Sequence, residues 1–193
     1  MERITIVGMG PLGFSIGLGL KRAGLSDTEV VGADRDRRRL DRASKLGAVD
    51  VTTGNLRTAL DGAQLVVLDM PLPDIEELLE AIGPILEKGC VVTDTGTAKV
   101  RVMEWAQRHL PRGTSFVGGR PLPTRPVTQL DDADATSLEG GHYCVFPTGS
   151  ADSDSVKTVV GMVETLGAQP LFLDAHEHDS YAAGVTHLPS VLS

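Results

Sequence analysis

No stretch of this sequence stays apolar for the roughly 20 residues that a bilayer-spanning helix requires, which argues against an integral helical membrane protein. Basic charge is also scarce. Eighteen Lys and Arg face 26 Asp and Glu, and the resulting −8 argues against a nucleic-acid partner or an anionic membrane surface. There are only two cysteines, Cys90 and Cys144, far apart and each in a strand-like run. They read as buried thiols in a reducing compartment, so the expected localisation is cytoplasmic. Low-complexity tracts are missing, as is any repeat beyond an alternation of strands and helices. The N-terminus enters a strand at once, leaving no room for a leader peptide. The 193 residues suffice for one domain, or for one domain with part of another.

What the sequence does have is concentrated at its start. Ile4 to Val7 form a short apolar run that ends at Gly8. Gly8, Gly10 and Gly13 then make G-x-G-x-x-G, followed by an apolar stretch from Phe14 to Leu20 that suits a buried helix. Gly8 lets the chain turn sharply off a strand, Gly10 has no Cβ to obstruct a pyrophosphate, and Gly13 lets helix and strand approach. Pro11 fits the first helical turn, and Leu12 follows it. Free N–H groups at that helix start would face phosphates. The next strand, Glu29 to Ala33, ends at Asp34, which lies 26 positions after Gly8. A carboxylate there accepts from an adenosine ribose and repels a 2′-phosphate, which predicts NAD rather than NADP. Arg35 stands beside it and could hold a 2′-phosphate, while Arg37 to Arg39 read as a solvated helix face.

Further strands are predicted at 49–51, 65–68, 90–93, 115–117, 142–146 and 169–173. Helices are predicted at 35–46, 55–60, 74–86, 97–110 and 156–166. Strand–helix alternation of this kind implies an α/β fold of Rossmann type, a doubly wound parallel sheet with ligands at the strands' carboxyl ends. Those ends bring in Asp69, Met70 and Pro71 after one strand, Asp94 and Thr95 after another, and Gly118 after a third. Residues 120–141 are rich in Pro, Thr and Asp and are expected to form a loop over the cleft. The predicted division is a dinucleotide-binding domain over residues 1–174. From 175 to 193 the composition changes to the start of a helical domain, most of which would lie beyond this sequence.

Taken in order, these motifs resemble the prephenate/arogenate dehydrogenase family of tyrosine biosynthesis. Gly8-Met9-Gly10-Pro11-Leu12-Gly13 looks like its cofactor loop, and Asp94-Thr95-Gly96-Thr97-Ala98-Lys99 is similar to its Asp-x-Gly-Ser-x-Lys motif. Gly118-Gly119-Arg120-Pro121 looks like its Gly-Gly-His-Pro motif with one change. Glu177-His178-Asp179 and Thr186-His187-Leu188-Pro189 are similar to two further motifs, Glu-His-Asp and Ser-His-Leu-Pro. The resemblance implies NAD-dependent oxidative decarboxylation of prephenate or arogenate. A prephenate-like dicarboxylate would be the small-molecule substrate, and the helical region would form a homodimer. It also implies catalytic roles at Thr97, Arg120 and His187.

The departures from the family pattern matter chemically. Arginine cannot act as a general base near neutral pH, so Arg120 points either to a carboxylate clamp or to altered or lost activity. His187 is then the remaining candidate base, with a buried structural histidine as the alternative. Two other readings stay open: a relative acting on an analogue such as 4-amino-4-deoxyprephenate, and a dinucleotide-binding pseudoenzyme. Asp69 stands where the family usually has a small apolar residue, and its charge would oppose a diphosphate unless paired. His176 and His178 are two apart, on different faces of a helix, and no Cys or third His stands at ligand spacing, so no metal site is predicted.

Overall fold

The computed structural model describes residues 2–149 and 151–183. Among them the chain runs β1 (Glu2–Val7), α1 (Pro11–Arg22), β2 (Thr28–Ala33), α2 (Arg37–Lys45), β3 (Val51–Thr53), α3 (Leu56–Leu60), β4 (Leu65–Leu68) and α4 (Leu72–Ile82). It continues through β5 (Val91–Asp94), α5 (Lys99–His109), β6 (Ser115–Leu122), β7 (His142–Pro147), α6 (Ser153–Thr165), β8 (Gln169–Phe172) and α7 (Ala175–Ala182). Several helix starts are set by the chain's own short polar side chains. Asp36 accepts from the Arg38 amide at 2.9 Å, Asn55 from Thr58 at 3.1 Å, and Asp152 from Ser155 at 2.8 Å.

The described strands form one sheet in the order β3-β2-β1-β4-β5-β6-β7-β8. Its middle strands are apolar throughout because both faces are covered, as in a parallel sheet flanked by helices. One face packs Ile6, Val67 and Val145 with Phe14 and Ile16 of α1 and Val159 and Val163 of α6. The other packs Val66, Leu68 and Val92 with Ile75 and Leu79 of α4 and Val102 of α5. The chain moves outward from β1 to β2 and β3, then returns to β4 on the opposite side of β1. That reversal opens a crevice at the carboxyl ends of β1 and β4, the usual ligand position in such sheets.

Two expectations need correction. The sheet is not parallel throughout, because β6 and β7 pair antiparallel. No α-helix lies between them, so no right-handed crossover sets them parallel. Residues 120–141 are likewise not one loop over the cleft. β6 runs on through Arg120 and Pro121, which pair with Cys144 and Tyr143. The missing N–H of Pro121 is tolerated because β5 leaves β6 after Phe116, so this part of the strand has one neighbour. The remainder is held against α1 and α2: Ser137 reaches Ser15, and Arg42 donates to Asp131 at 2.6 Å. Both cysteines are free and buried, and burial pushes the Cys90 thiol up to about 12. No helix among the described residues is long and apolar enough to cross a membrane.

Leu79 has no exposed surface and anchors α4 to the sheet. Leu79→Ala is expected to lower unfolding stability by about 2–5 kcal/mol, read as a lower urea midpoint at unchanged slope.

Candidate functional site

Gly8 closes β1 with φ +93°, and a Cβ there would lie 2.1 Å from the Asp69 carbonyl oxygen. The turn therefore excludes every residue but glycine. The Met9 amide donates to Asp34 Oδ2 at 2.8 Å, and the Asp36 amide to Asp34 Oδ1 at 2.8 Å. Asp34 thus fastens the glycine loop to the end of β2. Its nearest cation is Arg39, at 3.6 Å, whereas Arg35 is 80% exposed and leans toward Glu77. Gly10 caps α1 without a side chain, Pro11 takes the first helical position, and Leu12 follows, half-buried. The first-turn amides of such a helix have no partner within it, which makes its start an anion site.

A carboxylate already stands there. Asp69 Oδ2 accepts from the Gly13 amide at 2.6 Å, and Oδ1 accepts from the Thr95 hydroxyl at 2.6 Å. Burial raises the Asp69 carboxyl above its ordinary range, against the pull of Thr95 and Gly13. The pairing foreseen as a condition is met by two neutral donors, with Arg39 acting on the carboxyl through its charge. Met70 packs beside Gly8, and Pro71 caps α4 in an exposed position. The predicted nucleotide-facing residues therefore converge on one crevice, with Arg35 and Pro71 at its exposed margin.

Asp94 and Thr95 are neighbours at the end of β5, so a second cluster begins where the first stops. Asp94 and Lys99 are both fully buried, with Lys99 Nζ 2.5 Å from Asp94 Oδ2. Nζ also donates to the Gly119 carbonyl at 2.6 Å, and the Gly119 amide donates to Asp94 Oδ1 at 3.0 Å. Burial pushes the Lys99 ammonium down, and Asp94 opposes that shift. A Cβ on Gly119 would lie 2.5 Å from the Asp94 carbonyl, so the second glycine of Gly-Gly-Arg-Pro is demanded by packing.

The next residue, half-buried Arg120, aims Nη1 at the Thr97 carbonyl, 3.2 Å away, and at His178 Nε2, 3.0 Å away. The other ring nitrogen of His178, Nδ1, lies 2.9 Å from Asp179 Oδ1. Asp179 also receives the amides of Lys99 and Val100, capping α5 from a distant helix. Burial works to raise the Asp179 carboxyl, but the Lys99 amide, His178 and the Val100 amide outweigh it and hold the group below its ordinary range. Of the three predicted catalytic residues, Thr97 and Arg120 come together here, and His187 lies outside the described residues. Sequence reasoning assigned no chemistry to His178, Asp179 or Lys99. The available signal was the Glu-His-Asp motif, read there only as a helix start.

Where the glycine turn sits defines the class. A helix start opening into the switch-point crevice, with an acid closing the neighbouring strand, is the geometry of Rossmann-type nucleotide-binding domains. The chain belongs to the prephenate dehydrogenase family: residues 16–171 match the model described as "Prephenate dehydrogenase, nucleotide-binding domain". It is 31% identical to prephenate dehydrogenase of Lactococcus lactis over 196 residues and 24% identical to that of Bacillus subtilis over 193 residues. All of this chain aligns, against 52% of each relative, so the chain spans about half the length of these curated relatives. It superposes with a TM-score of 0.90 and 26% identity on prephenate dehydrogenase from A. aeolicus, solved with hydroxyphenyl propionate and NAD+. That match covers 100% of this chain and 66% of that one.

The raised carboxyl of Asp69 has a consequence for stability. Its folded form holds a proton more tightly than its unfolded form, so its contribution is complete in acid and is lost as pH rises through the folded value. Asp69→Asn removes that loss. The thermal midpoint of the variant relative to the parent is expected to climb as pH rises from about 4 toward neutral, and scans at several pH values check it.

Proposed function

We propose that this chain is the nucleotide-binding part of an NAD-dependent dehydrogenase that oxidatively decarboxylates prephenate or arogenate. The observation that carries the substrate assignment is Arg120. Lys99 is spoken for by Asp94, and among the described residues no carboxylate pairs with the Arg120 guanidinium. A half-buried cation contacting only a carbonyl and an imidazole suits a substrate carboxylate, which a guanidinium binds bidentately.

The glycine loop fits a dinucleotide. Gly8, Gly10, Pro11, Leu12 and Gly13 would cradle the diphosphate. Asp34 and Arg35 would lie toward the adenosine ribose, with Asp69, Met70, Pro71 and Thr95 along the nicotinamide side. The carboxylate at residue 34 favours NAD over NADP. Bound nicotinamide supplies the hydride acceptor. The chain's own part is to orient the ring with Arg120, to hold polar groups at Thr97, and to accept the ring-hydroxyl proton while carbon dioxide leaves. Two free, buried thiols support a reducing cytoplasmic setting. Residues from 175 onward would begin the helical region that completes the pocket and a homodimer.

Mixing the protein with NAD and prephenate, then with arogenate, tests the assignment. Growth of the reduced-nicotinamide absorbance with carbon dioxide release is expected. Cofactor binding without turnover would favour the pseudoenzyme. Arg120→Ala is expected to raise KM about tenfold or more with a smaller change in kcat, the signature of lost ground-state binding. Asp69→Asn is expected to tighten NAD about fivefold or more in calorimetric titration. Two like charges about 4 Å apart cost about 1 kcal/mol even in water.

A further inference from the structure

The proposed reaction needs a group that takes a proton from the ring hydroxyl, and a guanidinium cannot do it. Among the described residues at this cluster, the imidazole of His178 has the required chemistry. Its tautomer follows from its neighbours. Arg120 Nη1 can only donate, so Nε2 accepts from it, and the ring proton sits on Nδ1, donated to Asp179 Oδ1. A base oriented by a carboxylate on its far nitrogen is the arrangement that general-base catalysis uses. Phe146 meets the ring edge-on with centroids 5.0 Å apart, and the residue is buried, so the ring is held in place. The charged groups around it are Asp179 on its own helix, Arg120 on β6, and Lys99 at the start of α5, whose ammonium lies 5.8 Å from the Phe146 ring centroid.

From this geometry we infer that His178 is the general base, masked by Arg120 until a substrate carboxylate draws the guanidinium away. The inference rests on the reading of Arg120 given above. Without substrate the Nε2 lone pair is occupied by the Arg120 N–H. A carboxylate offers the guanidinium a charged, two-oxygen acceptor in exchange for a neutral nitrogen. Once it moves, the Nε2 lone pair is free to accept a proton. The hydroxyl O–H bond then breaks and its proton passes to Nε2, and bound oxidised nicotinamide would supply the acceptor for the carbon-bound hydrogen and its electron pair. The carbon–carboxylate bond breaks as carbon dioxide departs, and its electrons make the ring aromatic. The proton returns from Nε2 to the phenolic oxygen, so Nε2 ends as it began. Base and substrate anchor are thereby coupled: the residue that recognises the carboxylate also releases the base.

Two measurements on the full chain test this. In the first, His178→Ala is expected to lower kcat about 100-fold or more with a small change in KM, and added imidazole is expected to restore turnover. A folded His178→Ala protein that keeps the parent's kcat overturns the assignment. So does one that loses turnover without rescue, or rescue seen with His187→Ala instead. The second measurement is independent of turnover. With 15N-labelled histidine and prephenate but no NAD, the Nε2 resonance of His178 is expected to move as the Arg120 hydrogen bond is lost. In Arg120→Ala it is expected to start near that position. An Nε2 resonance unmoved by prephenate, or identical in parent and Arg120→Ala, overturns the masking. If no resonance of the protein responds to prephenate, the substrate reading beneath the inference fails with it.

Discussion

Two opposite charges sealed from water, Asp94 and Lys99, decide where everything else in the site stands. Desolvating such a pair is expensive, and it persists because each partner has further hydrogen bonds. Both carboxylate oxygens of Asp94 accept backbone amides, from Gly119 and Gly96, and the ammonium also donates to the Gly119 carbonyl. Gly119 is gripped on both its amide and its carbonyl, which pins β6 to the end of β5 beyond the point where their ladder has ended. Arg120 is the next residue along. Lys99 is also the first residue of α5, and its amide holds Asp179 and hence α7. One buried contact therefore sets the positions of Arg120 on β6 and His178 on α7. Through Thr95, the neighbour of Asp94, it also reaches the glycine loop.

The structure uses the same device twice, with opposite electrostatic results. At the start of α1 and at the start of α5, a carboxylate from a distant element takes the exposed amides. Asp179 receives two successive amides and an imidazole N–H, and these overcome its burial. Asp69 has one amide and one hydroxyl, and even with the pull of Arg39 these do not overcome its deeper burial, so its carboxyl is raised. The cap of α5 is a settled ion. That of α1 is a carboxyl whose charged form burial opposes, at the very place where a diphosphate would bring more negative charge. The two helix starts are therefore not equivalent: the carboxylate that closes α5 is held below its ordinary range, and the one that closes α1 is raised above it.

Most of the sheet was legible because its signals are local. The glycine triplet and the apolar runs at 4–7 and 65–68 act within a few residues of where they stand. What was misread depends on partners far along the chain. Nothing near Arg120 announces that β6 continues through Pro121. That follows from the pairing with β7, whose strand begins twenty residues later in the sequence. Gly119 looked like part of a motif, whereas its lack of a side chain is forced by Asp94, Thr93 and Tyr143 crowding the same spot. His178 was passed over for a related reason. Beside His176 it invited comparison with a metal site, and only the fold reveals that Arg120 and Asp179 occupy its two nitrogens.

An arginine at residue 120 is thus poorly described as the loss of a histidine. A guanidinium has donors on every edge and accepts nothing, so it can be half-buried only among acceptors. The fold offers it a carbonyl and the lone pair of an imidazole whose other nitrogen is committed to a carboxylate. Counting formal charges, Asp94 and Asp179 balance Lys99 and Arg120, so the cluster is neutral and complete without a ligand. On the proposed function a dicarboxylate would recruit Arg120 without breaking the Asp94–Lys99 pair, because Arg120 alone of the two cations is free of a carboxylate among the described residues. Recruitment of Arg120 necessarily leaves an imidazole lone pair behind it. On the proposed function, recognition of a charged substrate and exposure of a base would be one movement of one side chain.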